Sequence, residues 1–161
     1  MVRTDVLREE EGHAQARRGI AQVLYRVSAG DLWIADRNVC PRGLMGGIAR
    51  REAAFLVRQH GQGPGELLGT PTRQGVTRSG TVYEHAMLVT DPGRGETLPV
   101  RRLTLVLKAA TRDGDTALHL LTHSPAQEAR PRLLAGVYGT RWTSETALLE
   151  LTTTLSGAMR T

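Results

Sequence analysis

The sequence is poor in several residue types, and each shortage excludes a class of protein. Its single cysteine, Cys40, excludes an internal disulfide and a zinc site built on paired cysteines. Aromatic residues make up only 4% of the chain, which is too little for the stacking platforms that hold single-stranded nucleic acids. No apolar run approaches the roughly 20 residues that span a bilayer, and the segment MVRTDVLREEE lacks the apolar core of a signal peptide. We therefore expect a cytoplasmic protein with no membrane partner.

Familiar catalytic motifs are missing as well. The sequence contains no GxGxxG, no phosphate loop ending in Gly-Lys-Ser and no GxSxG, and its five histidines show no metal-ligand spacing. These shortages argue against a dinucleotide-binding protein, a P-loop nucleotidase and a serine hydrolase.

The composition that is present suits one globular domain, residues 1–161, with 40% hydrophobic and 23% charged residues. The net charge is +5, and Lys108 is the only lysine among 21 basic residues. Arginine suits phosphate contacts, although the coding bias of a GC-rich genome produces the same skew. The charge therefore permits a nucleic-acid partner without proving one.

Hydrophobic periodicity in the first third of the chain predicts alternating helices and strands. In order, the pattern predicts a helix over 9–27, a strand buried on both faces over 32–35, a short helix from Pro41 to Arg51 and a second buried strand over 53–58. Asp36 stands where the first of these strands emerges, which is the usual position for chemistry in α/β sheets. The order predicts an α/β layered sheet.

The pattern then changes to turn-rich, extended sequence. Residues 61–80 are dense in Gly, Pro, Thr and Arg and predict turns and short extended pieces. Strands are predicted over 81–90, 98–108 and 116–122, so that 61–115 forms a β-rich insertion. Two terminal helices follow, the first from Pro125 to about Gly136 and the second carrying Arg141 and Glu145.

Three polar residues near the C-terminus share one helical face. Arg141 and Glu145 follow Tyr138 at offsets of three and seven residues, which is a helical repeat. An arginine offers a bidentate fork for phosphate oxygens, and Glu145 could join Asp36 in binding a hard divalent cation. Taken alone, Asp36 more often bonds the amides of its turn, and a glutamate early in a helix more often favours the macrodipole. Together the residues indicate phosphodiester chemistry.

These residues also carry a family resemblance. The run of Tyr138, Arg141 and Glu145, with Trp142 directly after the arginine, resembles the signature of DDE-type transposases of bacterial insertion sequences, in the branch with a β-rich insertion before the catalytic Glu. LWIADRNVC is similar to the segment with that family's second catalytic Asp, and EEGHAQARR to the helix before it. The resemblance covers roughly residues 5–154. The family's Lys falls on Thr152, and its first catalytic Asp is expected upstream of Met1.

The resemblance implies a partial ribonuclease-H-like domain with an inserted β-strand module. Asp36 and Glu145 would be catalytic ligands of Mg²⁺ or Mn²⁺, Arg141 would hold a phosphate, and Tyr138 would contact the DNA backbone or a terminal base. Arg37 and Arg58, at the ends of the central strands, are the favoured further DNA contacts. Additional arginines that could line a DNA path are Arg50, Arg73, Arg78, Arg101 and Arg102.

The implied function is DNA transposition, with cleavage and strand transfer at transposon ends. The partner would be double-stranded transposon-end DNA, the chain could form a homodimer, and the location would be the bacterial nucleoid within the cytoplasm. With two of three metal ligands, this chain alone is expected to be inactive. Two alternatives stay open: a catalytically inactive DNA-binding remnant that interacts with a full-length transposase, and an unrelated small α/β binding protein.

Overall fold

The computed structural model describes residues 2–3, 13–36, 42–59, 65–128 and 130–141. These residues form β1 (Val2–Arg3), α1 (His13–Tyr25), β2 (Leu32–Asp36), α2 (Arg42–Arg50), β3 (Ala54–Gln59), β4 (Gly65–Val76), β5 (Gly80–Thr90), β6 (Thr97–Leu107), β7 (Ala117–Thr122) and α3 (Pro131–Arg141). None of the described helices has the length and apolar character that crossing a bilayer requires.

All seven described strands belong to one sheet, in the order β1-β2-β3-β7-β6-β5-β4. The pairs β1–β2 and β2–β3 are parallel, and the remaining four pairs are antiparallel. The fold is therefore mixed α/β with a mostly antiparallel sheet, and the short parallel part lies at the end that holds Asp36.

The sheet has two different faces because side chains alternate along each strand. On the α1/α2 face, Trp33, Phe55 and Val57 pack with Leu44 and Ile48 of α2 in the larger core cluster. On the opposite face, which we call the α3 face, Leu134 of α3 packs against a cluster of Leu56, Leu103 and Leu120, and Ala135 packs against Val82, Leu105 and Leu118. The central strands are thus covered on both sides, as their continuous apolar sequence predicts.

The predicted early elements agree with the structure to within a few residues. Helix α1 begins at His13 and ends at Tyr25; positions 9–12 of the predicted helix lie outside the described residues. The bounds of β2, α2 and β3 each lie within one residue of the predicted ones.

The prediction for residues 61–80 was wrong in its described part. Instead of short pieces, β4 is a continuous strand of 12 residues. Its turn-forming residues are accommodated because β4 is an edge strand with register irregularities after Leu68 and Arg73, and Gly69 and Gly75 have positive φ angles of 68° and 130°. Strands β4, β5 and β6 continue the same sheet; that they form an insertion stays a prediction.

The predicted first terminal helix was also misplaced. Residues 126–128 form a turn, and α3 begins at Pro131; proline suits the first helical position because that residue's N–H needs no partner. The helix then passes through Gly136 to Arg141 without the predicted break. A glycine in a helix costs only about 1 kcal/mol relative to alanine, and the neighbouring Ala135 is fully buried against the sheet.

Candidate functional site

The first predicted site residue, Asp36, is the last residue of β2. Its backbone pairs in parallel with Arg58 of β3, so both residues lie at the carboxyl end of the parallel strands, where α/β proteins commonly place chemistry. The side chain of Asp36 and all of Arg37 lie outside the described residues.

The start of β2 is positioned by hydrogen bonds of a tight turn. The buried Asp31 carboxylate accepts from the amide of Ser28 at 2.9 Å, and Gly30 adopts a φ of 82°, which suits glycine. The Gly30 amide donates to the Glu52 carbonyl, and the Ala54 amide donates to the Asp31 carbonyl. These bonds set β2 and β3 side by side, so that Asp36 and Arg58 end in register.

Arg58 occupies the α3 face because it follows Leu56, two residues earlier on the same strand. Its Nη2 donates to Asp115 Oδ2 at 2.8 Å; the arginine side chain is 8% exposed and the aspartate side chain 40% exposed. Asp115 belongs to the turn before β7, where its amide donates to Thr111 Oγ1 at 3.0 Å. A DNA phosphate that contacts Arg58 would therefore compete with the Asp115 carboxylate.

Helix α3 brings part of the C-terminal motif to the same side of the sheet. Leu134 packs against the same apolar cluster as Leu32 and Ile34 of β2, on the face that the register assigns to position 36. The backbone at positions 138 and 141 belongs to α3, four and seven residues after Leu134, which is a helical repeat. The side chains of Tyr138 and Arg141, and all of Glu145, lie outside the described residues.

Two histidines have separate environments. His119 Nδ1 lies 2.8 Å from Thr104 Oγ1, and burial together with the charge of Arg102 lowers the pKa of His119. His123 stacks on Phe55 with ring centroids 4.5 Å apart, and burial lowers its pKa, partly offset by a hydrogen bond with the Ala53 backbone. Within the described residues, no group of three or more His, Cys, Asp or Glu side chains could hold a metal ion.

Ion pairs across the sheet were not foreseen from the sequence. Arg101 donates from Nε and Nη2 to Glu84 at 2.9 and 3.1 Å and from Nη1 to the Ser124 carbonyl at 2.8 Å. Arg50 pairs with Glu96 at 2.8 Å. Two arginines of the predicted DNA path thus already have protein partners. Only the strand register reveals these pairs, because it places Arg101 opposite Ala86 and so diagonal to Glu84.

Position 36, Arg58 and helix α3 thus share one face of the sheet, and α3 packs mainly on β4, β5 and β6. Comparisons with known proteins add no relative to this picture. No protein-family model matches the chain, and a search of curated proteins finds no match either.

Proposed function

We propose that this chain is the C-terminal part of a DDE-type transposase of a bacterial insertion sequence. The whole enzyme would bind the DNA ends of its element and carry out metal-dependent phosphodiester cleavage and strand transfer. The observation that carries the proposal is topological: α3, with positions 138 and 141, packs on the sheet face that the register assigns to positions 36 and 58. Glu145 follows Arg141 by one turn in the sequence, and the resemblance assigns it to the same metal site as Asp36.

The layering supports a partial ribonuclease-H-like domain. Two parallel strands, β2 and β3, have α1 and α2 on one face, while α3 covers the other face of the sheet. Strands β4, β5 and β6 lie between β3 and α3 in the sequence, which is where the resemblance expects an inserted β module.

The donor atoms suit a hard cation but are too few to hold one well. Asp36 and Glu145 would supply carboxylate oxygens to Mg²⁺ or Mn²⁺, and Mg²⁺ demands near-octahedral geometry and gives up water reluctantly. In such sites the metal supplies activation of the attacking oxygen and stabilisation of the leaving oxygen. The chain's own contribution is to position DNA: Arg141 holds a phosphate, and Tyr138 contacts the backbone or a terminal base. Arg58 contacts a phosphate if its ion pair with Asp115 breaks.

Binding to DNA tests the first half of this proposal. A labelled duplex with the terminal sequence of the element around this reading frame is titrated with the chain at several salt concentrations. We expect Arg141→Ala to weaken binding, and Arg112→Ala, on the exposed turn before β7, to change it little. Equal losses from both variants would show non-specific charge attraction, which depends on net charge rather than on position.

Cleavage tests the second half. The purified chain with Mg²⁺ or Mn²⁺ should not nick DNA, because neither metal position has the ligands that in-line displacement requires. Fusing the N-terminal catalytic strands of a related transposase to the chain should recover cleavage, and Asp36→Ala or Glu145→Ala should abolish it. Nicking by the unextended chain, lost in Glu145→Ala, would mean that another carboxylate completes the site, with Asp5 the first to test.

A catalytically inactive DNA-binding remnant is the second candidate. The observation that favours it is Thr152, which stands where the family has a lysine. An extended chain that binds terminal DNA but never cleaves it would support the remnant, which could still act as an interaction partner of a full-length transposase.

A further inference from the structure

A row of polar residues crosses the α1/α2 face of the sheet from β3 to β4. The row consists of directly paired positions on five strands: Gln59, His119, Thr104, Tyr83 and Arg73. In the adjacent row on the same face, Arg102 lies opposite His85. We call these seven residues the polar row.

The polar row differs in exposure from the rest of its face. Nearer α2, the same face presents the buried apolar residues Val57, Met87, Val100 and Leu121, which belong to the larger core cluster. In the polar row, Gln59 is buried, Arg73 is exposed, and Tyr83, His85, Arg102, Thr104 and His119 are partly exposed. The described part of this face therefore changes from a helix-covered core to a surface that solvent reaches.

Charge is segregated across this part of the sheet. Strands β3 to β7 contain only two acidic residues, Glu66 and Glu84. Both fall on the α3 face: Glu84 pairs in register with Leu103 of the α3 core cluster, and Glu66 pairs with Leu88, four residues along β5 from Glu84. The strand positions of the opposite face thus combine Arg73, Arg102 and two histidines with no carboxylate.

Arg102, at the centre of this face, has no countercharge among the described residues. Its Nε atom is buried and makes no hydrogen bond to the described part of the chain. Burial lowers the pKa of Arg102, and the arginine in turn disfavours the charged form of His119. A cation that is partly withdrawn from water without a partner is costly, and a bound anion would relieve that cost.

We propose that the polar row binds the phosphate backbone of duplex DNA. The choice of DNA rests on the proposed function, but the surface lies on the opposite face of the sheet from positions 36 and 58. Arg102 on β6 and Arg73 on β4 are two strands apart, about 10 Å at the usual strand spacing, so the two side chains can contact different phosphates of a polymer. Tyr83 is the only extended aromatic ring in the row, so a duplex fits better than stacked single-stranded bases.

The position of the row also suits DNA that continues from the candidate active site. Gln59 follows Arg58 at the carboxyl end of β3, which is the edge of the sheet where Asp36 ends β2. From β3 the row crosses β7, β6 and β5 to β4, the outermost strand of the sheet. Because the row and position 36 lie on opposite faces, DNA that contacts both would pass around the carboxyl ends of β2 and β3.

The test compares the full chain with Arg102→Gln and with Arg94→Gln as a charge-matched control on the exposed turn between β5 and β6. Binding of a labelled 30-base-pair duplex is measured by fluorescence anisotropy at several salt concentrations, and thermal unfolding is recorded for each variant. We expect Arg102→Gln to weaken binding and to reduce the slope of log affinity against log salt by about one, as for a lost phosphate contact. Its melting temperature should be unchanged or higher, because a partly desolvated charge without a countercharge is removed. Arg94→Gln should leave the affinity close to that of the wild type.

Several outcomes would overturn the inference. Unchanged affinity and slope in Arg102→Gln would do so, as would equal losses in Arg102→Gln and Arg94→Gln. Inorganic phosphate binding that is weakened in Arg102→Gln, together with unchanged duplex binding in that variant, would assign the row to a small phosphate compound instead. Weaker duplex binding in Arg141→Ala but not in Arg102→Gln would refute the role of this surface and leave the proposed function standing. Weaker duplex binding in Arg102→Gln but not in Arg141→Ala would support this surface and count against the proposed function. A wild-type chain that binds no duplex would overturn both.

Discussion

The ion pair between Arg58 and Asp115 should respond asymmetrically when either partner is removed. The Arg58 side chain is 8% exposed, whereas that of Asp115 is 40% exposed. Asp115→Ala leaves a buried guanidinium without its carboxylate, although Arg58 keeps a further interaction. Arg58→Met leaves a carboxylate that water can reach, and the methionine replaces the apolar part of the arginine stem. The aspartate variant should therefore be the less stable of the two.

The size of the difference follows from burial. Removing one partner of a fully buried pair costs about 3–5 kcal/mol, and exposed pairs contribute about 0–1 kcal/mol. Because Asp115 is more than a third exposed, solvent already screens the pair, so we expect about 1.5–2.5 kcal/mol for Asp115→Ala and at most about 1 kcal/mol for Arg58→Met. For a chain of this size, these losses correspond to melting temperatures lowered by about 3–10 °C and by no more than about 4 °C.

Urea unfolding of the wild type and of both variants measures the two losses. Asp113→Ala is the control, because Asp113 lies on the same turn and is exposed, so that its loss reports the turn and the net charge alone. A double variant should be more stable than the sum of the single losses implies, since the buried charge is then gone. A larger loss in Arg58→Met than in Asp115→Ala would refute the reasoning from burial.

The same pair links stability to the proposed DNA contact. If Arg58 contacts a phosphate after exchange with Asp115, then Asp115→Ala should bind duplex DNA more tightly while it folds less stably. Tighter binding with lower stability separates a functional role of Arg58 from a purely structural one. Arg58→Met should weaken binding in the same assay.

Two further predictions concern the core and the sheet. The pKa of His123 is lowered by burial. Between that lowered pKa and the ordinary value of about 6.5, the unfolded chain binds more protons than the folded chain does. The contribution of His123 to stability should therefore be full above about 6.5 and fall as the pH drops through this window. His123→Phe, which keeps a ring against Phe55, should lose less stability in denaturant unfolding between neutral and mildly acidic pH; an unchanged pH dependence would contradict this. Gly80→Ala should destabilise the chain by more than about 1 kcal/mol, since the added Cβ would meet the Val106 carbonyl oxygen. Gly19→Ala in α1, where the added Cβ has open space, should stabilise the chain by about 0.5–1 kcal/mol. Equal effects of the two substitutions in thermal unfolding would argue against the close strand contact.

Local sequence patterns were sufficient where an element is defined by its own residues. The run LWIA predicts a strand over 32–35 from which Asp36 emerges, and β2 spans Leu32–Asp36. The predicted strands 81–90 and 98–108 leave a short connection between them, and the structure closes it with a hydrogen bond from the Gly95 amide to the Asp91 carbonyl. The local approach failed for β4, because its Gly69, Pro71 and Gly75 are turn formers that an edge strand with irregular register tolerates.

The sequence by itself thus determined the strand-end position of Asp36, the helical spacing of Tyr138 and Arg141, and the shortage of cysteine and aromatic residues. Only the tertiary structure decided that Arg58 meets Asp115, 57 residues away, and that Arg101 meets Glu84. The same holds for the polar row, whose members come from five strands. The physical reason is that the periodicity of apolar residues reports only on one helix or strand at a time. Strand order and register, in contrast, arise from pairing between distant segments. Which charges are neutralised and which stay open to an anion therefore depends on that pairing.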